Sequence, residues 1–213
     1  MTLDLSDLDI PNLMIYSAAV TRESILRLFP AELGEIQNAV TKRQQEYATA
    51  RCLARKAMLS LGFPEHEILN RSDRSPIWPD GMVGSLSHCD KYAIAVVAAS
   101  DEILTVGCDI EPDFPLPDNI TEQILLPEEI DNLESKSDDR LIFSAKEAFY
   151  KAQYQVTGTY LDFKDVTVKI NHQDNSFQIK LNKSVGIWDT RQIFRGRLTK
   201  SNEHLVTLIH MRP

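Results

Sequence analysis

Asp109 and Glu111 stand two residues apart at the end of an apolar run, Ile103 to Ile110, that reads as a β-strand. Side chains on a strand repeat every two residues, so both carboxylates leave the same face. A fold that places this strand must answer two like charges with a cation or with water. Taken alone, such a pair is most often a solvated strand end. Hard oxygen donors of this kind also suit Mg²⁺, which accepts few protein carboxylates and leaves room for water and substrate phosphates. Other parts of the chain must decide between the two.

The chain has 213 residues and a formal net charge of −8. That length supports one sizeable domain or two small ones. The acidic balance argues against general nucleic-acid binding. No apolar run approaches the roughly 20 residues that a membrane helix needs. The N-terminal stretch carries Asp4, Asp7 and Asp9 and no Lys or Arg, unlike a secretory or transit signal. Cys52, Cys89 and Cys108 are odd in number, each in an apolar context. They read as buried free thiols of a reducing compartment, which makes the cytoplasm the default location.

In chain order, the pattern predicts a strand from Leu13 to Val20 and a helical region from Ala31 to Leu61, closed by Gly62. Within that region Arg43, Tyr47, Arg51 and Arg55 recur every four residues and form one stripe. The stripe is either a solvated basic face or a grip for phosphates, which guanidinium binds bidentately. Strands follow at Met82 to Ser87, Tyr92 to Ala98 and Ile103 to Ile110. The short polar link Ser100-Asp101-Glu102 predicts an antiparallel hairpin between the last two. Short helices broken at Pro127 and a long helix from Arg140 to Val156 come next. The remainder reads as strands, from Phe163, Phe177, Gln192 and His204 onward. The predicted class is α+β, with two similar halves, 1–105 and 106–213, each a helix on a small antiparallel sheet.

On the second long helix Glu147 and Lys151 lie four apart on one face, beside Lys146 and among Phe143, Phe149, Tyr150 and Tyr154. Charges on so aromatic a helix need partners, because buried charge is costly unless it is paired or metal-bound. His88 follows a strand and a small-residue turn next to Ser87, where it is a structural hydrogen-bonder or a donor to phosphate.

Three stretches, Gly84-Ser85-Leu86-Ser87-His88, Gly107-Cys108-Asp109-Ile110-Glu111 and Phe143-Ser144-Ala145-Lys146-Glu147-Ala148-Phe149-Tyr150-Lys151-Ala152, follow one another in order. With the Arg74-x-Pro76-x-Trp78-Pro79-x-Gly81 lead-in and the Arg43 to Arg51 helix, they resemble the 4′-phosphopantetheinyl transferase superfamily. The resemblance is to its larger, monomeric branch, typified by the surfactin-synthetase activator, and within that to the enterobactin-synthase component D type. It runs from about Lys42 to Lys151. It implies a two-half fold with the active site in the cleft between the halves. It also implies transfer of the phosphopantetheine arm of coenzyme A to a serine of an apo acyl, aryl or peptidyl carrier protein, in siderophore or other nonribosomal peptide synthesis. By resemblance, Asp109, Glu111 and Glu147 bind Mg²⁺, while Glu147 and Lys151 are catalytic. Arg43, Arg51, Arg74, Ser87, His88, Lys146 and Lys151 hold coenzyme A, and Phe114, Leu116, Ile120 and Ile124 meet the carrier. The alternative is a catalytically silent module that binds coenzyme A and regulates a synthase.

Overall fold

The middle of the chain departs from the hairpin that its spacing suggests. In the computed structural model, which describes residues 2–213, the strand Tyr92–Ala99 (β3) does not pair with Thr105–Pro112 (β4). β3 lies between Met14–Ala19 (β1) and Met82–His88 (β2), antiparallel to both. Both of its hydrogen-bonding edges are therefore filled. The chain turns after Ala99, and Leu104 N–H bonds Met211 O at 2.8 Å as β4 enters a second sheet. That sheet has the order β4, His204–Met211 (β8), Ile193–Ser201 (β7), Ser176–Leu181 (β6), Val166–Asn171 (β5), and its paired strands are all antiparallel.

Each sheet carries one 20-residue helix, Thr41–Ser60 (α2) on the first and Asp138–Thr157 (α5) on the second. The α+β reading in two halves thus describes the architecture. β3 sends Ala93, Ala95 and Val97 to the side chains of α2. Its alternate residues Ile94, Val96 and Ala98 enter a middle core with Cys108, Ile110, Val206 and Leu208. The other face of the five-stranded sheet packs on Leu141, Ala145, Ala148, Phe149 and Ala152 of α5. The N-terminal segment closes the middle core with Leu3, Leu8, Ile10 and Leu13, and Asp4 N–H bonds Ser201 Oγ of β7 at 3.0 Å. Cys108 is buried, as its context suggests, but Cys52 and Cys89 are only half-buried.

The single long helix expected over Ala31 to Leu61 is two, Pro30–Ile36 (α1) and α2. Gln44 explains the break, because its Nε2 donates to the carbonyls of Ile36, Gln37 and Ala39 and satisfies the end of α1. Two further short helices, Asp118–Ile124 (α3) and Pro127–Ile130 (α4), precede α5.

The halves share a device that their coarse outline does not reveal. α1 and α4 each begin with Pro, followed two residues later by a buried glutamate. Glu32 accepts from Phe29 N at its own helix start, from Ile68 N far along the chain, and from Arg55 Nη1 on α2 at 2.8 Å. Glu129 accepts from Leu126 N, from Val168 N, and from Lys146 Nζ on α5 at 2.6 Å. In each half one carboxylate clamps a short helix, a distant backbone segment and the long helix.

Candidate active site

The seam between the two sheets forms where β2 lies alongside β4. Side chains seal it, with no backbone ladder. Ser85 Oγ accepts from Cys108 N at 3.0 Å, and Ser87 Oγ donates to Asp109 Oδ1 at 2.8 Å. From α5, Lys151 Nζ donates to Cys108 O and Gln155 Nε2 to Val106 O. The helix comes this close because of Gly107: a Cβ there would sit 1.9 Å from Ala148 O.

Four residues of α5 share one stripe, and three of them, Arg140, Ser144 and Lys151, bond the carboxylates of β4. Arg140, Ser144, Glu147 and Lys151 follow at intervals of four, three and four. Lys151 Nζ lies 2.7 Å from Asp109 Oδ1, and Ser144 Oγ donates to Asp109 Oδ2 at 2.9 Å. Arg140 Nη1 donates to Glu111 Oε2 at 2.9 Å. Glu147 has no hydrogen-bond or ion-pair partner among the described residues. Burial raises its pKa, Lys151 opposes the rise and Asp109 adds to it. Glu111 is pushed up to about 7, first by burial and then by the charge of Asp109, against the pull of Arg140. Burial disfavours the charge on Lys151, but Asp109, Cys108 and Glu147 together more than offset it, so that pKa is raised.

No three His, Cys, Asp or Glu side chains converge as a ready-made metal cage among the described residues. Lys151 and Arg140 occupy the places beside Asp109 and Glu111. The donor set still fits Mg²⁺: hard oxygens only, two of them on carboxyls whose ionised forms are disfavoured and so would gain from a cation. Mg²⁺ takes one or two carboxylates together with substrate phosphates and needs no all-protein cage.

On the three-stranded side, His88 Nε2 bonds Arg43 Nη1, and Nδ1 lies 3.4 Å from Glu46 Oε2. Burial, then Arg43 and Lys151, push its pKa down to about 4, so the ring is neutral near pH 7. Beside this lies a cavity of about 260 Å³, lined by Asp73 to Pro76, by Gly84 to Leu86 of β2, and by Tyr150, Lys151, Tyr154 and Gln155 of α5. Arg74 stands exposed at its edge in a left-handed conformation, φ 70°. Gly84 lets the Trp78 ring lie on the strand backbone, since a Cβ there would meet the ring at 2.5 Å. Tyr154 Oη donates to Asp73 Oδ2 at 2.9 Å and ties the loop to α5.

Three expectations need correction. Lys146 does not reach the site. It is 2% exposed, and its three protons go to Glu129, Ile124 O and Phe163 O. The basic stripe of α2 is mostly buried: Arg55 pairs with Glu32, and Arg51 spends its guanidinium on Ile68 O, Asn70 Oδ1 and the Tyr47 ring. Arg43 alone of the three arginines remains exposed. Leu116 and Ile124 are core residues of the second half, which leaves only Phe114 and the half-buried Ile120 toward solvent. Arg140, Ser144 and Glu46 are site residues that motif reading passed over. The spacing of Arg140 and Ser144 with Glu147 and Lys151 was the available signal.

Residues 30–98 match the 4′-phosphopantetheinyl transferase N-terminal domain, and residues 105–208 match the 4′-phosphopantetheinyl transferase superfamily. A 4′-phosphopantetheinyl transferase, Svp, from Streptomyces mobaraensis is 36% identical over 191 residues, spanning 85% of this chain and 78% of that protein. The chain belongs to the 4′-phosphopantetheinyl transferase superfamily. The transferase Npt of Nocardia iowensis is 38% identical over 155 residues, 71% of this chain and 70% of its own length. Enterobactin synthase component D of Escherichia coli K12 is more distant, 30% identical over 141 residues, 62% and 66% of the two chains. No helix of the described residues is long and apolar enough to cross a membrane.

Proposed function

We infer that this transferase moves the 4′-phosphopantetheine arm of coenzyme A to a serine of an apo carrier protein and releases adenosine 3′,5′-bisphosphate. The observation that carries the reading is the cluster of Asp109, Glu111, Glu147 and Lys151 at the seam, in a chain matched to this superfamily along both halves. Asp109, Glu111 and Glu147 would hold Mg²⁺, which when bound supplies neutralisation of the diphosphate charge. The carrier serine oxygen attacks the phosphorus that bears the pantetheine. The bond from that phosphorus to the bridging oxygen breaks, and the bridging oxygen leaves on the adenosine bisphosphate. Glu147 takes the serine proton, directly or through a water. Its lack of a protein partner and its raised pKa favour that role. Lys151 stabilises the negative charge on the leaving phosphate.

Arg43, Arg74, Ser87, His88 and Lys151 form the grip for the phosphates of coenzyme A, and Arg51 supports it from behind by holding the Ile68 carbonyl and the Asn70 side chain. His88, being neutral, adds no charge: its Nε2 accepts from Arg43 and so orients that guanidinium, and its one N–H, at Nδ1, faces Glu46. Phe114 and Ile120 are the apolar surface left for the carrier. Each half of one chain supplies part of the site, so a monomer suffices. Siderophore or other nonribosomal peptide synthesis in the cytoplasm is the setting that fits the kinship with component D.

The test is intact-protein mass spectrometry of an apo aryl or peptidyl carrier incubated with this protein, coenzyme A and Mg²⁺. A phosphopantetheine mass gain that EDTA abolishes is expected. No gain across several carriers, with coenzyme A still bound, would instead identify a silent binding module. A pH dependence follows from Glu111. Its pKa near 7 means that below neutrality a proton competes with the cation. The Mg²⁺ concentration for half-maximal rate is therefore expected to fall as pH rises from about 6 to about 8. A requirement that stays flat over this range would remove Glu111 from the metal set.

A further inference from the structure

Asp109 is the most heavily held carboxylate of the site. Oδ1 accepts from Ser87 Oγ at 2.8 Å and Lys151 Nζ at 2.7 Å, and Oδ2 accepts from Ser144 Oγ at 2.9 Å. Behind Ser144 stands Thr207 of β8, and both residues are fully buried. Thr207 Oγ1 lies 2.9 Å from Ser144 Oγ and 3.0 Å from Ser144 O.

Counting protons fixes the direction of these bonds. Each hydroxyl has one proton, and an ionised carboxylate only accepts. The bond to a charged acceptor is the stronger one, so the Ser144 proton goes to Asp109. If Ser144 donated to Thr207 instead, Asp109 Oδ2 would lose its protein donor in a buried place. The single Thr207 proton is then shared between Ser144 O and Ser144 Oγ, two acceptors on one residue. Thr207 thereby stops the Ser144 hydroxyl from rotating. Ser87 and Lys151 both anchor Oδ1, and a carboxylate held at one oxygen still swings about it. Ser144 is the second anchor. A carboxylate offers about four acceptor positions. With three filled, the open one is on Oδ2.

We propose that Ser144, locked by Thr207, is a positioning residue that fixes the plane of the Asp109 carboxylate and leaves one lone pair of Oδ2 open to a divalent cation. The proposal rests on the reading of Asp109 as a metal ligand. Neither residue touches substrate. Gly107 lets α5 approach and so brings Ser144 to the carboxylate, while the pairing of β8 with β4 places Thr207 opposite Asp109, within reach of Ser144.

The test is a Mn²⁺ titration followed by electron paramagnetic resonance, on the full chain saturated with coenzyme A. Asp109→Ala serves as control, and coenzyme A affinity is measured separately in EDTA. Ser144→Ala is expected to weaken Mn²⁺ binding about 10–100-fold, the usual cost of losing a group that orients a metal ligand. Coenzyme A affinity in EDTA should not change. Thr207→Val should weaken Mn²⁺ binding in the same direction, and Thr207→Ser, which keeps the hydroxyl, should restore it. The Thr207 pair carries the test if Ser144→Ala fails to fold. If Asp109→Ala abolishes Mn²⁺ binding while Ser144→Ala and Thr207→Val leave it intact, the positioning proposal is wrong and the metal reading stands. If Asp109→Ala itself binds Mn²⁺ normally, the metal reading fails first.

Discussion

Glu147→Gln is expected to lower kcat by about 10²–10⁴-fold, the range for removing a general base. The dissociation constant for coenzyme A should stay close to its starting value. Glutamine keeps the shape and the hydrogen-bonding oxygen but cannot take a proton. Glu147 lacks any protein partner among the described residues, so no ion pair is broken and the helix should hold. Stopped-flow turnover with an apo carrier, beside calorimetric binding of coenzyme A, separates the two quantities. Equal losses in both would mean that Glu147 only binds, as a metal ligand, and that the proton leaves by another route. The raised pKa of Glu147 bears on the same question: burial makes the carboxylate a better base than it would be in water, and Asp109 adds to that.

Lys146→Ala should act quite differently, although Lys146 is the sequence neighbour of Glu147. Lys146 and Glu129 are each 1% exposed in their side chains and lie 2.6 Å apart. Removing one partner of such a pair leaves an uncompensated buried charge, at a cost of about 3–5 kcal/mol. For a chain of this size that corresponds to a fall in Tm on the order of 10 °C. In the material that folds, KM for coenzyme A should be unchanged. Thermal unfolding together with KM decides the matter: an unchanged Tm with a raised KM would return Lys146 to the coenzyme A grip. The clamp at Glu32 and Arg55 predicts that the first half responds to loss of its own cation in the same way.

How much the sequence reveals depends on whether a feature is local. The stripe on α5 is legible because 3.6 residues per turn places Glu147 and Lys151 together whatever surrounds them. The same rule, applied further back along the helix, would have included Ser144 and Arg140. The stripe on α2 is equally periodic, yet periodicity does not tell a solvated cation from a buried one. The partners that bury Arg51 and Arg55 are Ile68 O, Asn70 and Glu32, which lie well outside the helix. Leu116 and Ile124 fail for a related reason, since an apolar loop reads the same whether it turns inward or outward. The hairpin at Ser100 to Glu102 fails because a short polar link permits pairing without requiring it. Both edges of β3 belong to β1 and β2, and one of those partners, β1, lies some seventy residues earlier in the chain.

The pairing of β4 with β8 has a bearing on how the protein comes to exist. Every motif residue lies at or before Ala152, yet the strand that carries Asp109 and Glu111 has its ladder partner at His204–Met211. Thr207, opposite Asp109 in that ladder, is made after every one of those motifs. The segment before β1 is also held by β7: Asp4 by Ser201, and Asp7 by Thr199. A ribosome that has finished all the recognisable motifs has therefore not yet made a working site. A premature stop after Ala152 would delete no motif residue and would still leave the carboxylates without the strand that aligns them.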